Sequence, residues 1–448
     1  MATIQPRTLQ GFRDFLPDAM LARESIMDGA RAVFRSFGFR PIDTPALEYL
    51  DILTGKGGEE TDRQLYRFED HGGRQVGMRF DLTVPLARYV AQHIGKLGVP
   101  FKRYHLGTVW RGERAQRGRY REFMQCDFDT IGTSSLVADA EIVIVIHELL
   151  RAIDVGPFVI RVNNRKVLGG ILARHGIESD AASVLRALDK LPKIGRQGVA
   201  AELHDQVGLS SAQSDAILQL AERSGTPDTI LSQLAGQVRD SELACQGLEE
   251  LEQVVHAARA GGVPADRLEL DLSIARGLDY YTGTIYETFL VDLPAIGSIC
   301  SGGRYDDLAG LYTRESLPGV GASLGLDRLL AALEELGRLQ TRPTPTQLLV
   351  AYFDPHHLHD YLQLATAVRR RGIAVEVYPE PKKLKAQLKY ADRQHIPWVL
   401  IAGEREFAEG KCQVKELATG ESHLLPWTPE GRELAEFLTE RLAGEARS

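Results

Sequence analysis

The sequence predicts an α+β fold: an antiparallel sheet flanked by helices and split by a helical insertion, followed by a small α/β domain with a mostly parallel sheet. Three observations predict it. Short runs of β character are joined by short turns from Gln64 to Ile131. A stretch rich in Ala, Leu and Gln at helical spacing, Ile171 to Gly262, then interrupts them. Beyond a proline-bearing linker, apolar strands alternate with helices.

The elements follow in order. Apolar residues Met20, Leu21, Ile26, Met27, Ala30, Val33, Phe34 and Phe37 recur at helical spacing after Pro17, and Gly38 stops the helix. Phe39 to Leu47 has β character but contains Pro41 and Pro45; proline cannot donate to a ladder, so this strand belongs at an edge or an interface. Strands are expected at Gln64–Phe68, Gln75–Phe80, Phe101–Trp110, Glu122–Ile131 and Val159–Val162, with a helix at Pro85–His93. After the insertion they resume at Leu268–Asp271, Tyr286–Val291 and Gly297–Ser301, and Gly319 to Leu336 reads as strand, turn and apolar helix. Gly337 to Gln347 has two prolines and no periodicity, a linker. The division is therefore residues 1–170 and 263–338 for the split sheet module, 171–262 for the insertion, 339–346 for the linker and 347–448 for the α/β domain.

Length and charge narrow the function. At about 150 residues per domain, 448 residues make a multidomain chain. A net charge of −8 argues against a protein that coats nucleic acid non-specifically, so any such contact is local. Four cysteines lie too far apart for a C-x-x-C zinc or redox pair, which suits a reducing cytosol; no metal set and no membrane span is expected. Gly319, Gly321 and Gly325 fall one residue off the dinucleotide fingerprint and lack its downstream acid.

Against that acidic background, Lys102 to Arg121 carries seven basic residues and the single acid Glu113, a locally placed positive field. Arg276 begins an Arg-Gly-Leu-Asp-Tyr-Tyr run, and Arg304 and Arg328 follow on separate elements. Several arginines converging from different strands imply an anion between them, a triphosphate being the obvious one. Asp81, Glu113 and Asp129, on or beside strands of the same sheet, would complement an ammonium or a polarised ring nitrogen. A second basic stretch, Ala365 to His395, carries eight basic residues against three acids.

These residues resemble the histidyl-tRNA synthetase family over essentially the whole chain. The match lies in Arg79-Phe80-Asp81-Leu82-Thr83-Val84-Pro85, the Arg111 to Asp129 stretch, the Arg276 to Tyr281 signature and Gly325-Leu326-Asp327-Arg328-Leu329, with Pro45 matching the motif 1 proline of the dimer interface. The resemblance implies a class II synthetase sheet and a C-terminal anticodon-binding domain, in a cytoplasmic homodimer that joins L-histidine to tRNA(His) with ATP and Mg2+. It implies that Asp81, Thr83 and Gln125 hold the α-amino group, that Asp129 and Tyr281 read the imidazole, and that Tyr280 and Tyr305 complete the histidine pocket. Arg111 and Arg276 would be catalytic, gripping the α-phosphate and the carboxylate; Arg111, Glu113 and Arg328 would bind ATP; Gln116, Arg119 and Arg121 would meet the tRNA acceptor end. A synthetase-like regulatory subunit of histidine biosynthesis is the alternative.

Overall fold

A computed structural model describes residues 3–54, 59–174, 176–177, 180–188, 190–274, 281–339 and 343–445. Its contacts divide the chain into two units, residues 1–14 with 25–339, and residues 15–24 with 340–448.

The first helix runs Pro17–Ser36, with Ala22, Ile26, Ala30 and Phe34 buried at four-residue spacing, one face of an α-helix. Phe34 meets the rings of Tyr104 and Phe128 at centroid distances of 5.6 and 4.9 Å. Gly38 then takes φ 79°, a left-handed stop. The next strand is only Arg40–Pro41, at the outer edge of the sheet, where a proline costs no ladder bond.

Among the described residues of the first unit the main sheet has nine strands, in the order Arg40–Pro41, Phe101–Trp110, Glu122–Ile131, Gly319–Gly325, Cys300–Tyr305, Thr284–Leu290, Phe158–Asn164, Leu268–Asp271, Ser224–Gly225. Its interior is antiparallel as expected. It is nevertheless a mixed sheet, because Arg40–Pro41 pairs parallel to Phe101–Trp110 and Leu268–Asp271 parallel to Phe158–Asn164. Parallel neighbours need a long connection. Helices from Arg165–Arg174 to Glu242–Ala260 occupy the chain between the second pair.

Leu136–Ile153 is a helix that the sequence reading passes over. Ten of its residues are buried, and a helix apolar nearly all round shows no clear 3.6-residue stripe. Ser135 caps it, its Oγ accepting from Val137 N at 3.3 Å. The strand expected at Gly297–Ser301 lies instead at Cys300–Tyr305.

The second unit holds a five-stranded sheet around Leu348–Val350, which pairs parallel with Val375–Val377 and with Trp398–Ile401. The sheet is not mostly parallel. Lys411–Glu416 and Ser422–Pro426 form a hairpin, and strands joined by so short a turn can only be antiparallel. Trp398, Tyr361, Val368 and Leu438 fill its core. Among the described residues no helix is long and apolar enough to cross a membrane.

Candidate active site

Strand alternation builds a cavity of about 230 Å³ in the first unit. On Glu122–Ile131, the odd positions Phe123, Gln125, Asp127 and Asp129 line it, while Cys126 and Phe128 are fully buried. Asp127 sits between His105 and Ser323 on the neighbouring strands, and Asp129 between Arg103 and Gly321. Glycines make the room: a Cβ on Gly321 would collide with the Asp129 carboxylate, and one on Gly303 would lie 2.9 Å from the Tyr281 ring. The glycine spacing around 319–325 thus belongs to a strand bordering a pocket, not to a dinucleotide loop.

One end of the cavity is acidic and buried. Tyr305 Oη donates to Asp129 Oδ1 at 2.6 Å, and Arg103 Nη2 lies 2.7 Å from Asp129 Oδ2 and 3.8 Å from Asp127 Oδ2. Burial raises the Asp129 carboxyl above its ordinary range, against the pull of Arg103 and Tyr305. Gln125 Nε2 donates to Ser323 Oγ at 2.9 Å. Asp81, also in the lining, accepts at Oδ1 from the backbone N–H groups of Thr83 and Val84 at 3.1 and 2.9 Å, where the Thr83–Leu97 helix starts.

The other end is cationic. Arg111 is seated between Phe80 and Phe123, its guanidinium 4.3 and 5.1 Å from their ring centroids, and its Nε donates to Phe80 O at 3.1 Å. Stacking and a backbone bond fix its direction before any ligand arrives. Arg328, on the Leu326–Glu335 helix, lines the same end and donates to Ser298 O. Glu113 is 3.7 Å from Arg119. The cavity therefore suits a ligand with hydrogen-bond donors at one end and anionic charge at the other.

Of the residues singled out by sequence, the cavity brings together Asp81, Thr83, Arg111, Glu113, Arg119, Gln125, Asp129, Tyr281, Tyr305 and Arg328. Arg276 and Tyr280 lie outside the described residues. Gln116 and Arg119 exchange backbone hydrogen bonds of 3.0 and 2.9 Å in a tight turn of the loop, and Arg121 donates to the carbonyls of Glu113 and Gln10. Pro45 is exposed, as are Leu47 and Tyr49 close by.

Arg304 departs from the expectation that it converges on an anion. It is 5% exposed and points away into the protein, pairing with Asp139 and donating to the carbonyls of Thr133 and Ser135 and to Asp306. Thr282 Oγ1 donates to Asp306 at 2.6 Å, so this cluster anchors the residue next to Tyr281. Asp327, by contrast, lines the cavity, with its carboxylate held by bonds within the protein: it accepts from Met124 N at 2.7 Å and pairs with Arg13. Sequence reasoning missed Arg103, Asp127 and Ser323. The signal for Asp127 was present, since it lies midway between Gln125 and Asp129 at period 2.

Residues 11–329 match the family model described as histidyl-tRNA synthetase, and residues 347–440 match the anticodon binding domain. The chain is 60% identical over 427 residues to a histidine–tRNA ligase of Rhodopirellula baltica, covering 95% of this chain and 97% of that protein. A histidine–tRNA ligase of Wolinella succinogenes is 46% identical, over 94% and 96% of the two chains. The crystal structure of histidyl-tRNA synthetase from Nostoc sp. PCC 7120 superposes with a TM-score of 0.89 at 38% identity, covering 98% of this chain and all of that one. With the family model spanning most of its length and relatives matching nearly end to end, the chain belongs to the histidyl-tRNA synthetase family.

Proposed function

We propose that the cavity forms histidyl-adenylate from L-histidine and ATP, and that the chain then transfers histidine to tRNA(His). The observation that carries this reading is the polarity of the cavity, buried carboxylates at one end and a stacked, pre-aimed guanidinium at the other. Histidine has the matching polarity. Its α-ammonium would lie among Asp81, Thr83 and Gln125, its ring between Asp129 and Tyr281 with Tyr305 behind, and its carboxylate toward Arg111. A carboxylate attacking the α-phosphorus is already ionised and needs no general base; the charge that builds on the nonbridging oxygens is met by Arg111 and, in this reading, Arg276. Pyrophosphate leaves, and catalysis is positioning plus electrostatics.

Glu113 and Arg328 would orient the nucleotide. Magnesium belongs to the reading as an ion carried by ATP, expected from the chemistry of the triphosphate. Gln116, Arg119 and Arg121 would receive the acceptor end, and the basic face of the second unit the anticodon. The exposed Pro45, Leu47 and Tyr49 support a homodimer, and residues 171–262 are read as an insertion in the sheet module. The chemistry suits the cytoplasm.

The regulatory-subunit alternative is disfavoured by the anticodon binding domain at residues 347–440 and by the tRNA ligase relatives. Histidine-dependent exchange of pyrophosphate into ATP, together with charging of tRNA(His), tests the proposal. Exchange specific for histidine is expected; binding of histidine without exchange would overturn it.

A further inference from the structure

At the acidic end of the cavity two carboxylates share one guanidinium. Arg103 is fully buried, Asp127 and Asp129 are 2% and 3% exposed, and the Arg103 Nη2 atom is 2.7 Å from one carboxylate and 3.8 Å from the other. His105, beside Asp127 in register, supplies no compensating charge. Burial, then Arg103 and Arg79, push its ring down to about 4, and its Nε2 meets Asp43 at 2.8 Å. From the other elements Asp127 faces Ser323, which bonds to it, and more distantly Arg79, Asp81 and the Cys300 thiol. The Asp127 Oδ1 atom and the Gln125 Oε1 atom are buried without a hydrogen-bond partner. Two buried acids on one base leave either a surplus negative charge or a proton, and neither is stable unless a ligand completes the site.

We infer that Asp127 is a positioning residue for histidine recognition: by sharing Arg103 it keeps Asp129 from being fully neutralised, so that Asp129 remains a strong acceptor for the ligand ring N–H. This rests on the reading that Asp129 meets the imidazole. A carboxylate wholly matched by one guanidinium offers a ring donor little, whereas a pair with one charge in excess offers a charge-assisted bond. Tyr305 donates to one Asp129 oxygen, while the other is an ion-pair contact of Arg103 without a hydrogen bond, so the strength left for the ring depends on how far Arg103 is shared. Burial pushes the Asp127 carboxyl up to about 7, so the sharing is complete only above that pH.

The test is Asp127→Asn, which keeps size and the Ser323 partner while removing the second charge. In histidine-dependent pyrophosphate exchange the KM for histidine should rise about tenfold, the worth of one weakened charge-assisted bond, with kcat and the ATP KM nearly unchanged. Wild-type kcat/KM for histidine should climb as pH rises through about 7, and that limb should vanish in the variant, leaving only the titration of free histidine common to both. Unchanged KM, equal losses for histidine and ATP, or a retained limb would each overturn the inference. Arg103→Met leaves two unmatched acids and is expected to fold poorly; Arg103→Met with Asp127→Asn should recover folding and histidine use, and a double variant worse than the single would also count against the idea. Asp129→Asn, run in parallel, separates the two readings. If it raises the histidine KM while Asp127→Asn does not, the imidazole reading stands and only the inference falls; if it spares that KM, both fall.

Discussion

Two buried arginine–aspartate clusters stand on the same sheet and do different things. Arg304 meets Asp139, carbonyl oxygens of Thr133 and Ser135, and Asp306, so its donors are spent within the protein. Arg103 faces two carboxylates and leaves acceptor atoms on Asp127 and Gln125 unmatched. A saturated cluster has nothing to offer a ligand and holds segments together; an unsaturated one is costly alone and is completed by what binds. Both contain a buried Arg and Asp, and only the count of partners separates scaffold from site.

That contrast can be broken in four ways. The largest effect is expected at the saturated cluster, where Arg304→Met strands the Asp139 carboxylate and should cost about 3–5 kcal/mol of stability by urea unfolding. Unaltered stability would mean that the cluster is not the anchor its bonds suggest. At the pocket the effect should move from stability to activity: Asp129→Asn should lower kcat/KM for histidine about 100-fold, with the melting temperature maintained or raised, since it removes a buried charge.

Tyr281→Phe comes next, expected to weaken histidine use by about 1–3 kcal/mol while leaving the ATP KM in place. Equal losses for both substrates would put Tyr281 outside the ring pocket. The smallest effect is on pH and stability. Asp127 is shifted from an ordinary 3.8 up to about 7, so the native chain holds that proton more tightly than the unfolded one. The stability this contributes is complete below 3.8 and lost as pH rises through about 7. Asp127→Asn should therefore melt with the wild type near the acid end of that window and above it at pH about 8, by about 2–4 °C. A gap that widens toward low pH instead would reverse the sign and refute the assignment.

The positions of strands were legible where turn chemistry and period 2 spoke plainly: Phe101–Trp110, Glu122–Ile131 and Leu268–Asp271 fall where they were expected. The Leu136–Ile153 helix was hidden because burial on most sides erases the stripe by which helices are read. Arg304 shows why charge alone misleads. Its sequence neighbour Tyr305 borders the cavity, but a strand sends successive side chains to opposite faces, so the arginine beside it turns to Asp139. For the same reason Asp127 was readable once Gln125 and Asp129 were placed, whereas Arg103 required knowing which strand pairs with which.

Gly321, on the cavity wall, and Gly303, its partner on the next strand, leave a space defined by missing atoms. At Gly321 and Gly303 the first carbon of any side chain would meet the Asp129 carboxylate or the Tyr281 ring, so no replacement, however small, is conservative there. Tolerance to mutation should accordingly follow a sharp geographic line. In a saturation library scored by growth on this enzyme alone, these paired positions, which face each other across neighbouring strands, should reject even alanine, whereas Gly310, whose added carbon would meet nothing within 4 Å, should accept many residues.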